Sequence, residues 1–273
     1  MPAQFPGKVA GELFIEQDAH RPSKPHVRPQ GSRLLALAKP METRQETHRD
    51  CAPVQDSRIG SVAAHVCQRI QESPPIFDPG YVKQWTDSIV RSRPERQQLF
   101  KAFAAEAAGI EKDRLSVLEL GCGPGFLAEQ LLQNCNISRY TLVDFSPHML
   151  ELSRERLAGF KDRTVFFQQD FKKKSWTAAI PADFDLVVSL QAVHELRHAS
   201  RIPRLYAQLY NLLVPGGSLL VCDHVNSRLP SHYRAAHFMT VEEHLSTFNE
   251  LGFIRAREIC AAAELSLMAA EKP

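Results

Sequence analysis

Three glycines in five residues, Gly121, Gly123 and Gly125 of VLELGCGPGFLAEQLL (117–132), stand where an apolar run ends and a helical period begins. Val117, Leu118 and Leu120 read as a strand, and Leu127, Leu131 and Leu132 recur at helical spacing. With no Cβ in the way, such a turn brings backbone N–H groups and a helix N-terminus close to a ligand carrying an anionic or strongly accepting group. Two carboxylates close later strand-like runs. Asp144 lies 19 residues after Gly125 and ends TLVD, where a carboxylate can accept both hydroxyls of a ribose. Asp170 ends QQD, where another can accept the exocyclic amine of an adenine. Phe126 occupies the place at which the dinucleotide-binding fingerprint wants a third small residue, which sets this turn apart from that design.

A second chemical pattern is His194-Glu195-Leu196-Arg197-His198, which matches the H-E-x-x-H of zinc metalloproteases. On one continuous helix both imidazoles would share a face and hold a metal, with the glutamate as base. Pro203 is a natural first-turn residue, so the helix is expected to begin near Ser200, after the motif. Residues 199–222 contain no Asp, Glu or His for a third ligand, and the more distant Asp223 and His224 fall at the end of a strand. No metal is expected. His194 reads instead as a loop histidine that could take a proton from a hydroxyl or ammonium group, with a histidine bonded to a loop carbonyl as the alternative.

These groups need a scaffold, and the pattern after Leu115 alternates strand and helix. Strands are expected at 117–120, 140–144, 164–168, 184–190 and 218–223, and helices at 126–133, 147–158, 203–213 and 241–251. Such alternation implies an α/β fold, a parallel sheet covered by helices on both faces. Residues 256–259 and 265–270 are too close for a crossover helix and read as a terminal antiparallel pair, which makes the sheet mixed. Tyr81 to Ile110 reads as two helices broken near Pro94, a helical lid over 76–112 with Tyr81, Trp85 and Ile89 and then Leu99, Phe100 and Phe103 as apolar stripes. Residues 1–75 hold nine of the 18 prolines and no sustained period, so a disordered N-terminal extension ahead of one domain, 76–273, is expected.

Bulk composition narrows the function classes. The 273 residues are 44% hydrophobic with a net charge of +2, enough for one sizeable core and too balanced for nucleic-acid binding by bulk electrostatics. Six cysteines without a CxxC pair suggest reduced thiols and a cytoplasmic setting. No run reaches the length of a membrane span, so no membrane partner is expected.

In order, VLELGCGPG, LVDFS, QQDF, FDLVVSLQAVHEL and LLVPGGSLLV resemble the successive motifs of class I S-adenosylmethionine-dependent methyltransferases, from about Tyr81 to Pro273. The resemblance implies a seven-stranded, mostly parallel sheet of order 3-2-1-4-5-7-6 with one antiparallel strand, and S-adenosyl-L-methionine as cofactor across the carboxyl ends of strands one to four. It also implies roles. Glu119 would neutralise the methionine ammonium, Gly121, Cys122 and Gly123 would let backbone amides approach it, and Asp144 would bind the ribose diol. Asp170 and the Phe171 backbone would read adenine, Phe145 and Met149 would cover its faces, and Ser189 and Leu190 would lie beside the methyl group. Plain alternatives stand beside these: Glu119 as a capping or paired acid, Met149 as ordinary core. The implied reaction is methyl transfer to a small molecule, His194 lying on the acceptor side. An RNA-directed member of the fold, marked by Lys172-Lys173-Lys174 or by Arg201 with Arg204, and a non-catalytic binder of the same cofactor are the alternatives. Neither the acceptor nor the oligomeric state follows from the resemblance.

Overall fold

Short, nearly continuous apolar runs, their side chains alternating between two covered faces, build the sheet. In the computed structural model, which describes residues 78–92, 95–226 and 237–273, these runs become β1 (Leu115–Leu120), β2 (Ile137–Asp144), β3 (Thr164–Gln168), β4 (Phe184–Leu190), β5 (Leu213–His224), β6 (Ile254–Ala262) and β7 (Leu265–Glu271). Between and before them lie α1 (Pro79–Ser92), α2 (Glu95–Ala108), α3 (Phe126–Asn134), α4 (Pro147–Arg156), α5 (Ile202–Leu212) and α6 (Val241–Glu250). The chain divides into Met1–Ala52 and Pro53–Pro273, and every described residue belongs to the second unit. The expected disordered extension, 1–75, falls outside the described residues, as do Pro94 and the segment 227–236.

All seven strands form one sheet in the order β3-β2-β1-β4-β5-β7-β6. β1 to β5 pair in parallel, while β7 runs antiparallel to β5 and β6. The expected order and antiparallel strand are both present. Alternation assigns each strand to two cores. Val117, Leu142, Leu186, Val188 and Leu190 face one cluster with Leu99, Phe103, Leu127 and Leu131 from α2 and α3. Leu118, Leu120, Val143, Val187 and Val221 face the other with Leu205, Tyr206 and Leu209 of α5 and Phe248 of α6. Each buried Leu, Val or Phe contributes on the order of 1.5–3 kcal/mol.

Local signals set the helix starts. At α4 the Ser146 hydroxyl accepts the Met149 amide with Pro147 in the first turn, and at α6 Thr240 and Glu243 form a reciprocal capping box. α5 begins at Ile202 with Pro203 in its first turn, preceded by a 3₁₀ turn, Ala199–Arg201, slightly later than the expected Ser200. Between α5 and α6 the Tyr206 hydroxyl meets His244 Nδ1 at 2.7 Å. Burial pushes the His244 imidazole down to about 4, so the neutral ring accepts the tyrosine proton. β5 starts five residues before the expected Ser218, because Leu213 already pairs with Phe184 before a register shift.

Candidate active site

The carboxyl ends of β1, β2 and β4 open into one cleft, as expected where the strand order reverses direction from β1. Its floor is the β1–α3 turn. Gly121, Gly123 and Gly125 all adopt left-handed backbone, with φ of 68°, 52° and 81°. A Cβ on Gly121 would lie 2.3 Å from Ala192 Cβ, and one on Gly125 2.6 Å from Ser153 Oγ, so these two glycines serve packing. At Gly123 a Cβ would meet nothing within 4 Å, which leaves that face open to the cleft.

The amides of this turn do not point outward as the sequence suggests. Gly121 and Cys122 donate to the Val143 carbonyl at 2.8 and 3.1 Å, and Gly123 donates to Asp144 Oδ2 at 2.9 Å. They tie the turn to the end of β2, and what they offer a ligand is the open Gly123 face. Asp144 Oδ1 also accepts the Ser146 amide at 2.9 Å, which locks the carboxylate in place. Burial pushes Asp144 up to about 6, partly opposed by those amide bonds. Glu119 lies deeper, 2% exposed, with the Tyr140 hydroxyl donating to its Oε2 at 2.8 Å. Burial drives its carboxyl up to about 8 against that bond. A buried acid of this kind gains most from a cationic partner.

Cys122, Phe145, Met149, Asp170, Phe171 and Leu190 line the same cleft. Asp170 accepts the Lys172 amide at 3.0 Å. Ser189 does not line it. Strand alternation turns its side chain the opposite way from Leu190, and the fully buried hydroxyl donates to the Leu120 carbonyl at 3.2 Å. Tyr81 and Trp85 of α1 and Arg96 of α2 form one wall, so the N-terminal helices contribute to the site.

The H-E-x-x-H pentapeptide, whose His194, Glu195 and Arg197 line the same cleft, is no helix. Val193–Leu196 is a 3₁₀ turn closed by Arg197 at φ 59°. His198 is exposed, its Nδ1 meeting the amide and hydroxyl of Ser200, so the two motif histidines share no face. What gathers instead is His194, Asp223 and His224, whose ligand atoms lie within 4.8 Å of one another. Sequence reading missed this group because Asp223 and His224 are about 30 residues on. The signal was strand order: β4 and β5 are parallel neighbours, with Leu190 opposite Cys222, so the residues just beyond each must meet.

Asp223 is 2% exposed and receives three N–H donors: the His194 amide at 2.9 Å, His194 Nδ1 at 2.7 Å and the His224 amide at 2.7 Å. Burial alone would raise its carboxyl, but the His194 and His224 charges and these bonds hold it at about 2. As a carboxylate it only accepts, which places a His194 proton on Nδ1, so in the neutral form of the ring Nε2 is the acceptor. An N/N/O set of this kind could ligate a divalent cation, yet the carboxylate is filled by donors and serves to orient the imidazole. Gln191, at the end of β4, also holds left-handed backbone, φ 54°, a conformation costly for a non-glycine residue and concentrated at functional sites. It lines the cleft with His224, His237 and Phe238.

Residues 117–217 match the family model described as a methyltransferase domain. The chain is 33% identical over 159 residues to the trans-aconitate 2-methyltransferase of Paracidovorax citrulli, covering 57% of this chain and 53% of that protein. Over 116 residues it is 31% identical to the human tRNA N(3)-cytidine methyltransferase, covering 42% of this chain and 40% of that one. It thus spans about half the length, or less, of these relatives. In fold it resembles an O-methyltransferase family protein from Burkholderia thailandensis at a TM-score of 0.58 and 16% identity, over 75% of this chain and 61% of that one.

Proposed function

We propose that the chain is a class I S-adenosylmethionine-dependent methyltransferase, a reading that the matched methyltransferase-domain model and the strand order support, and that it methylates a small-molecule acceptor that gives up a proton to His194. The observation that carries this reading is the His194–Asp223 pair at 2.7 Å, whose imidazole lines the same cleft as Asp144 and Glu119. The cleft fits the cofactor chemically. Asp144 would accept the ribose hydroxyls, the buried Glu119 would pair with the ammonium group, and the open face of Gly123 would admit the methionine moiety. Asp170, with Phe145, Met149 and Phe171, would hold the adenine.

When bound, S-adenosylmethionine supplies a methyl carbon on a cationic sulfur, and the carbon–sulfur electron pair leaves with the sulfur as the acceptor bond forms. The protein's contribution is position and proton removal. Asp223 fixes the His194 tautomer, so Nε2 can take the acceptor's proton, while α1 and α2 wall the cleft. The near-neutral chain and the trans-aconitate relative favour a small molecule. The tRNA-modifying relative supports the RNA reading, for which Lys172 offers one local cation, its ammonium over the Phe145 ring at 5.8 Å.

Assaying S-adenosylhomocysteine release across a panel of small hydroxylated and aminated acceptors tests the proposal. Asp144→Ala should weaken cofactor binding at least tenfold, since each hydroxyl bond to a charged acceptor is worth about 1.5–3 kcal/mol. His194→Ala and Asp223→Asn should lower kcat while leaving cofactor Kd near wild type. Cofactor affinity untouched by Asp144→Ala refutes the site, and turnover untouched by His194→Ala removes the base.

A further inference from the structure

Beyond the His194–Asp223 pair, the cleft holds a second imidazole with its own carboxylate. His224 is 6% exposed, and its Nδ1 lies 3.7 Å from Oε1 of Glu264, in the turn between β6 and β7. Arg96 Nη1 donates to Gln191 Oε1 at 2.6 Å, which fixes the orientation of that amide. The Gln191 amide nitrogen then faces His224 Nε2 at 3.5 Å. Gln191, in left-handed backbone, thus has its side chain between Arg96 and His224. His224 and His194 stand nearly perpendicular, ring centroids 5.1 Å apart, and Phe238 packs near both rings. One small molecule can hydrogen-bond to both imidazoles through bonds of roughly 3 Å.

The cleft lining includes the carboxylates Glu119, Asp144 and Asp170 and a second group of Arg96, Gln191, Glu195, Arg197, His224 and His237, of which Arg96 also acts electrostatically on Glu119. Glu195, the carboxylate among that second group, has its oxygens 3.8 Å from Arg197 Nη2 and 3.6 Å from His194 Nε2. An acceptor lodged beside His224 meets the Gln191 amide and the Arg96 guanidinium that orients it, donors complementary to an oxyanion, with the carboxylates of Asp223 and Glu264 behind the two imidazoles.

We infer that the acceptor is a small organic acid, its carboxylate held at His224 and its neighbouring proton-bearing nucleophile presented to His194. This rests on the methyltransferase reading and adds the substrate class. The nucleophile's proton passes to His194 Nε2, its oxygen or nitrogen gains the methyl carbon, and the neutral thioether S-adenosylhomocysteine departs, so charge and atoms balance. His224 forms no covalent bond. It is the specificity-determining residue, with Glu264 and Gln191 as positioning residues behind it.

Calorimetry on the complex of the full chain with S-adenosylhomocysteine tests this, titrating salicylate and malate against their amides, salicylamide and malamide. At least one acid should bind tenfold or more tighter than its amide. His224→Asn should bring that ratio close to one, with S-adenosylhomocysteine affinity within twofold of wild type, and Glu264→Gln should lower it in part. The Gln variant guards against misfolding in the Asn variant, with circular dichroism as the check on both. Equal affinities for acid and amide, no acid binding at millimolar concentration, or an acid preference surviving in His224→Asn would each overturn the inference. A chain that fails to bind S-adenosylhomocysteine at all overturns the methyltransferase reading instead.

Discussion

A carboxyl group shut away from water with too little positive charge beside it keeps its proton, and Glu119 beneath the cleft, where the Arg96 charge opposes burial only in part, is in that position. Burial holds it at about 8 against the Tyr140 hydrogen bond, well above the 4.5 of the unfolded chain. A raised folded value means that the native state holds a proton which the unfolded state releases. The resulting stabilisation of the ligand-free protein is complete below about pH 4.5 and is lost as pH rises through about 8. Melting temperature of the free protein should therefore fall from about pH 5.5 to 8.5, and Glu119→Gln should flatten that slope. S-adenosylmethionine, whose ammonium would add positive charge beside Glu119, should raise the melting temperature more at the upper pH than at the lower. Thermal scans at both values decide the matter, and a slope unchanged in Glu119→Gln would show that Glu119 does not carry the effect.

Between strand and helix, the β1–α3 turn separates two duties that look alike in sequence. Gly121→Ala should disrupt the fold, because its Cβ would sit 2.3 Å from Ala192 in a left-handed backbone. Gly123→Ala faces open space, so it should cost only the strain of φ 52°, about 1 kcal/mol, while weakening cofactor binding severalfold by filling the cleft. Denaturation and cofactor titration of the two variants check the split, and equal stability losses would contradict it. Sequence periodicity showed the strands, the helices and the acids at strand ends, since each depends on residues adjacent in the chain. It did not show Ser189 turned away from the cleft beside an inward-facing Leu190, because a strand buried on both faces carries no polar–apolar alternation to tell its two sides apart. Nor did it show amides of Gly121 and Gly123 spent on β2, or Asp223 beneath His194. Those depend on which strands are neighbours, a property of the assembled sheet that no local period carries. Arg96 and Gln191 stayed hidden for the same reason, being 95 residues apart and joined across the cleft mouth.

Across the whole molecule, a net charge of +2 leaves little long-range field to draw a polyanion. Retention of total tRNA should drop to background well before roughly 200 mM salt, where a protein neutralising many phosphates would show a steep, graded loss. Filter binding over a salt series checks this, and tight retention with a slope of several phosphates would favour an RNA acceptor. No helix among the described residues is long and apolar enough to cross a membrane. The sheet's order also bears on how the protein is made. β7 is the last described strand to be synthesised, yet it lies between β5 and β6 and pairs with both. While a ribosome is still translating residues 254–262, β6 has no partner and the long β5 presents an open edge, the kind of surface that templates aggregation. Closure must wait for Leu265–Glu271 to emerge, so a messenger truncated just before that codon run yields a nascent chain with nearly the whole floor of the cleft and a sheet that cannot be sealed, a natural client for chaperones.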